Sequence, residues 1–171
     1  MQRIDVFDII RSLFFGPEKV VFSRFMDPLG NFEIFYPKKW KFDRDIAVVE
    51  GKYTVQFESK KSTFTISVDA SLPLDFDFRK YAKKELESPT AGILATARKT
   101  TFRGMPAFKR EYSYYSEGRE YFGGGVMFYN GDIVVSLSWS APEKDREKQE
   151  AIFSHMIDRL VVYKGFNIRK G

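Results

Sequence analysis

Cysteine is absent from this chain of 171 residues, which removes disulfide scaffolds, thiolate zinc sites and thiol nucleophiles together. Histidine is nearly absent as well. His155 is alone, so a metal site around it would have to be completed by carboxylates. Amide side chains are scarce: Asn31, Asn130 and Asn167 with Gln2, Gln56 and Gln149 stand against abundant Lys and Glu, a bias associated with heat-adapted proteins. No stretch approaches the roughly 20 apolar residues of a membrane-spanning helix. The first residues, MQRIDVFDIIRSLFFGP, interrupt their apolar positions with Asp5, Asp8 and Arg11, where a secretory signal has an unbroken apolar block. A cytoplasmic protein is the expectation.

Rings are what the chain has instead. Aromatic residues make up 17%, with 18 Phe and 9 Tyr, within a hydrophobic share of 43%. Each large ring buries far more apolar area than Val or Ala, so the core is expected to be ring-built. The length suits one core, hence a single domain over 1–171. Within it, 1–30 read as a helix and lead-in segment, 31–162 as the body and 163–171 as a basic tail. The net charge of +5 is spread through alternating Lys, Arg, Glu and Asp.

Val6, Ile9, Ile10, Leu13 and Phe14 fall on one stripe of a helix between Asp5 and Gly16-Pro17. An apolar run, Val20 to Met26, leads into the turn-forming string Asp27-Pro28-Leu29-Gly30. Alternation predicts strands at Phe32 to Tyr36, at Ile46 and Val48, at Tyr53 to Phe57 and at Phe64 to Val68. The period changes over Asp75 to Ser88, where Phe78, Tyr81, Ala82 and Leu86 share a helical face and Asp75 or Asp77 is available as cap. Strands then return at Leu94 to Phe102, Ala107 to Tyr115, Arg119 to Tyr129 and Asp132 to Ser140. Asn130-Gly131 predicts a type I′ hairpin turn, which needs positive φ at both residues. A closing helix is expected to bury Ile152, Phe153, Met156, Ile157 and Leu160. The class is therefore α+β, with a mainly antiparallel sheet and helices packed on it.

FEIFYPKKW at Phe32 to Trp40, RGMPAFKREY at Arg103 to Tyr112, and the run from Gly131 to Leu160 (GDIVVSLSWSAPEKDREKQEAIFSHMIDRL) together resemble the PsbP/Mog1-like family. The resemblance implies an antiparallel β-sheet sandwiched between α-helices, over about residues 31–162. It does not choose a function: the family holds lumenal photosystem subunits, a nuclear Ran-binding protein and bacterial proteins of unknown role. A prokaryotic branch of unassigned function is the nearest analogy.

No motif carries catalytic chemistry, so no catalytic, cofactor-binding or metal residue is assigned. Gly123-Gly124-Gly125 leads into a strand and lacks a following Lys-Ser or Lys-Thr, which favours a bulge, a twist or a close backbone approach over a phosphate cradle. Ser136, Ser138 and Ser140 share a strand face without a nucleophile elbow. The pairs Asp43 with Asp45 and Asp75 with Asp77 suit a loop and a helix cap. Arg98, Lys99, Arg103, Lys109 and Arg110, beside Tyr112, Tyr114, Tyr115 and Tyr121, have the composition of a single-strand or other polyanion site, but alternation divides them between two faces. The leading expectation is a non-catalytic binding or accessory protein, monomeric or homodimeric. It would present a sheet edge, loops or the helical stripe Val6, Ile9, Ile10, Leu13 and Phe14 to an unidentified protein partner; a polyanion binder is the alternative. A small-molecule enzyme, third, would demand a concave pocket with convergent polar groups.

Overall fold

The computed structural model describes residues 20–43, 46–86 and 94–163. The expected N-terminal helix with its stripe from Val6 to Phe14, Asp45, and the tail beyond Tyr163 lie outside the described residues. Period-2 alternation produces ten strands there, antiparallel at every pairing. Strands β1 (Phe22–Met26), β2 (Phe32–Pro37) and β10 (Val161–Val162) form a small sheet in the order β1-β2-β10. Strands β3 (Lys41–Phe42), β4 (Lys52–Glu58), β5 (Thr63–Asp69), β6 (Leu94–Phe102), β7 (Met105–Ser116), β8 (Arg119–Tyr129) and β9 (Val134–Pro142) form a seven-stranded sheet in the order β3-β4-β5-β9-β8-β7-β6. Two helices are described, α1 (Phe78–Leu86) and α2 (Arg146–Asp158), the second entered through a 3-10 turn at Glu143–Asp145.

One face of the large sheet is the core. Tyr53, Val55 and Phe57 of β4, Phe64, Ile66 and Val68 of β5, Val135 and Leu137 of β9, and Phe122, Val126 and Phe128 of β8 are buried on it in a single cluster. The small sheet covers one end through Phe25, which meets Phe57 edge-on at 5.4 Å, and Tyr36, 4.9 Å from the same ring. Helix α2 brings Phe153 against Trp40, Phe64, Phe122 and Trp139, and Met156 is fully buried, as its helical spacing predicts. Arg103, in the turn between β6 and β7, donates to the carbonyls of Leu160 at 2.5 Å and Ile157 at 2.7 Å. It thereby adds donors to carbonyls at and just beyond the end of α2 and sets a cation against the negative end of its dipole.

Buried Asp27 fastens the β1–β2 turn. Its carboxylate accepts from the amides of Leu29 at 3.2 Å and Asn31 at 2.9 Å and from the Tyr53 hydroxyl, while Gly30 supplies a φ of 75°. Burial, and then the bond to Asp27, push the Tyr53 phenol up from its ordinary pKa.

The other face of the large sheet is treated differently. Asp77 caps α1 by accepting from the amides of Arg79 at 2.9 Å and Lys80 at 3.1 Å, and the helix lays Phe78 and Ala82 on Met127 and Val134. That covers one corner.

Two expectations need correction. Ile46 and Val48 do not form a strand: Val48 and Val49 are exposed, and the local pairing is an isolated bridge from Val49 to Lys52 around Glu50-Gly51, whose φ values are 49° and 76°. Asn130-Gly131 does connect β8 to β9, yet only Gly131, at 101°, has positive φ, so the turn is not type I′. The Asn130 side chain accepts from the amides of Asp132 and Ile133, both at 2.9 Å, and this local competitor widens the turn and delays β9 to Val134.

Candidate functional site

Strand register organises the face that the described residues leave open. Arg110 on β7 lies opposite Gly125 on β8, which lies opposite Ser138 on β9, which lies opposite Thr65 on β5, which lies opposite Gln56 on β4. The next row toward α1 runs Phe108, Met127, Ser136, Ser67, Thr54 in the same strand order. The one on the other side holds Tyr112, Gly123, Ser140, Thr63 and Glu58. A cleft of about 650 Å³ opens over the second row and the Arg110, Gly125 and Ser138 end of the first, with Thr54, Ser67, Ser136, Ser138 and Gly125 in its lining. Arg110 and Phe108 stand on one side, with Lys52, Asp69, Tyr81 and Glu85 on the other.

The three glycines of β8 explain how this floor is made. A Cβ at Gly123 would lie 2.4 Å from the Tyr112 ring, and one at Gly124 would lie 2.7 Å from the Trp139 indole on the core face. One at Gly125 would lie 2.9 Å from the Leu137 carbonyl and 3.4 Å from Arg110 Nε. The ladder is continuous through all three, so the glycines make a close approach and not a bulge. Tyr112 lies down across Gly123 and donates to the Trp139 carbonyl at 3.2 Å; burial pushes its phenol up. Arg110 lies down across Gly125, half-buried, with its guanidinium 5.7 Å from the Tyr112 ring. No carboxylate among the described residues pairs with it.

Across the cleft Asp69 is held in a network of its own. Asp69 is buried and accepts from the Tyr81 hydroxyl at 2.8 Å and from the hydroxyl and amide of Ser71 at 2.8 and 3.0 Å, and Lys52 Nζ stands 3.1 Å away. Burial alone would push this carboxyl up, but the bonds from Tyr81, Ser71 and Lys52 outweigh it and hold the pKa below the ordinary value. A depressed folded-state pKa means that the unfolded chain binds the proton more readily. The stabilisation is therefore complete above the unfolded value near 4 and is lost as pH falls through the folded one. Asp69→Asn is expected to be less stable than wild type at neutral pH and to converge with it in acid. Urea unfolding at several pH values measures this, and parallel curves down to pH 2 would contradict it.

Several residues marked in the sequence have structural employment. His155 is half-buried on α2 with its ring 4.0 Å from Phe22. Ser140 shares a 2.7 Å hydrogen bond with Tyr114, whose ring stacks on Tyr121 at 5.2 Å. Tyr115 is exposed. Asp77 is a helix cap, and Asp43 is an exposed residue at the cleft margin. No group of three His, Asp or Glu that could hold a metal occurs among the described residues.

The five marked cations do not converge. Arg98 and Lys109 are exposed cross-strand neighbours on the core-side face, and Lys109 pairs with Glu111 at 3.0 Å. Lys99 lies on the opposite face beside Phe108, lining a second hollow under the start of α1. Arg103 is spent on α2. Arg110 alone enters the cleft. Lys52, Asp69, Tyr81 and Glu85 carried no motif; they meet only because β4, β5 and α1 do.

This is the PsbP/Mog1-like fold. The solution structure of cyanobacterial PsbP (CyanoP) from Synechocystis sp. superposes with a TM-score of 0.58 at 15% identity, over 86% of this chain and 96% of that one. A Pseudomonas aeruginosa protein of unknown function, PA94, described as a putative regulator, gives 0.51 at 19% identity over 83% and 97%. LpqN of Mycobacterium tuberculosis, described as involved in cell envelope biogenesis, gives 0.50 at 12% identity over 92% and 96%. At these identities the likeness is one of fold. No family model matches the sequence, and no curated protein does. No helix among the described residues is long and apolar enough to cross a membrane.

Proposed function

We propose that this chain is a non-catalytic binding protein that takes its ligand on the polar face of the seven-stranded sheet that the described residues leave open. The observation behind the reading is the cleft of about 650 Å³, within the size range of small-molecule sites, lined by half-buried Arg110 and by the hydroxyls of Thr54, Ser67, Ser136 and Ser138. Among the described residues α1 covers one corner of this face, and we read the open part beside it as the place a ligand occupies. This reading departs from the sequence-level expectation of a macromolecular partner at a sheet edge, a loop or the N-terminal helix, and moves the binding surface to the sheet face. The polyanion alternative has no comparable support, because its five cations are divided between faces and Arg103 and Lys109 already have partners. The cytoplasmic placement stays a separate proposal, and the binding reading does not depend on it.

Equilibrium dialysis of the full chain against the small-molecule fraction of a source-cell extract tests the reading, with bound species identified by mass spectrometry. Ser138→Trp fills the floor and Thr54→Trp closes the margin from the exposed side of β4. Wild type is expected to enrich at least one species that both plugged, folded variants release. Enrichment of nothing, or of a species that both variants keep, overturns the proposal.

A further inference from the structure

We infer that Arg110 is an anion-recognition residue and that the cleft takes a small hydroxylated monocarboxylate; this rests on the cleft being the binding surface. A guanidinium on a sheet surface ordinarily extends into water or finds an acid. Arg110 does neither: it lies along Gly125, where a Cβ would stand 3.4 Å from its Nε, and no carboxylate among the described residues neutralises it. Its planar fork matches a planar two-oxygen anion bidentately, which Lys at the same place would not.

The rest of the cleft chooses among anions. On the far side Lys52 pairs with Asp69, and Glu85 has no ion pair among the described residues, so a multiply charged phosphate seated on Arg110 would meet like charge across the same space. A monoanion avoids that repulsion. The hydroxyls of Ser136 and Ser138 have no hydrogen-bond partner among the described residues and can both donate and accept, so they suit a ligand body that carries hydroxyls of its own. An apolar body would strand them. A sugar acid has all three properties: one carboxylate, several hydroxyls and a size the cleft accommodates.

Gluconate is the probe, with glucose and inorganic phosphate as controls, followed by amide shifts of the isotope-labelled full chain. Gluconate is expected to shift Arg110, Gly125 and Ser138 saturably, with glucose and phosphate each about tenfold weaker or more. Arg110→Gln is expected to weaken gluconate by about tenfold or more at an unchanged melting temperature, and Arg110→Lys to recover only part of the loss. Absence of saturable gluconate shifts overturns the inference, as does an affinity that Arg110→Gln leaves intact. A species retained in the dialysis experiment, released by Ser138→Trp but indifferent to Arg110→Gln, would leave the binding proposal standing and sink this one alone.

Discussion

Phe153→Ala is expected to cost about 3 to 5 kcal/mol, because it deletes the ring through which α2 is bound to the large sheet. Phe153 is 2% exposed and meets Trp40, Phe64, Phe122 and Trp139 at centroid distances of 6.1 to 6.3 Å. Those four rings come from three strands and from the turn after β2, so they cannot collapse together into the space left behind. The cavity therefore persists and its cost adds to the lost transfer energy. Against a total stability of about 5 to 15 kcal/mol for a domain, the variant is expected to be marginal at room temperature. Urea denaturation should show a midpoint lowered by that amount at an unchanged slope. Ile157→Ala, one turn further at a half-buried position, should cost clearly less; equal costs would mean that α2 is not seated as described.

The fold was legible wherever one face of an element meets the core. Phe64, Ile66 and Val68 alternate with Thr63, Thr65 and Ser67, and the register follows because a slip by one residue would turn all three apolar side chains outward. Legibility failed where a side chain competes with the backbone. At Asn130 the amide oxygen bonds two following N–H groups, and that choice was invisible to a rule that reads Asn-Gly as a two-residue turn. It also failed at Ile46 and Val48, where two apolar residues have no third to extend the pattern and no neighbouring strand to pair with.

The candidate site was visible only in pieces. Arg110 stood out as one basic residue among five, and the glycine triplet as a local oddity. What joins them is hairpin pairing, which places Gly125 beside Arg110 fifteen residues away and Gly123 beside Tyr112 eleven residues away. A Gly-x-Gly whose two glycines fall on the polar phase of a predicted hairpin strand, opposite Arg and Tyr on the same phase of its partner, was the available signal. Asp69 offered less. It is the last residue of β5; Ser71 is a local partner two residues on, but Lys52 and Tyr81 come from a neighbouring strand and a helix that the fold brings together.

Gly123→Ala is expected to be destabilising by about 1 to 3 kcal/mol, although alanine is ordinarily tolerated better than glycine in a strand. The added methyl would fall 2.4 Å from Tyr112 Cε2 and 2.7 Å from the Trp139 carbonyl oxygen. Neither can easily yield. The Tyr112 ring is held by its hydroxyl on that same carbonyl, and the carbonyl belongs to β9 in the centre of the sheet. Part of the penalty is therefore a coupling between two named residues, and a double-mutant cycle isolates it. In a Tyr112→Ala background the ring clash is gone, and the Gly123→Ala cost should fall, leaving only the contribution of the carbonyl. Because Tyr112 also lies beside the Arg110 guanidinium, lifting its ring displaces the wall on which that cation rests. Gly123→Ala is accordingly expected to weaken gluconate binding as well as stability, whereas Gly118→Ala, in an open turn, should reduce stability alone. Full additivity of Gly123→Ala and Tyr112→Ala in urea unfolding would show that the ring does not lie across the glycine, and the route by which Arg110 reaches the cleft would fall with it.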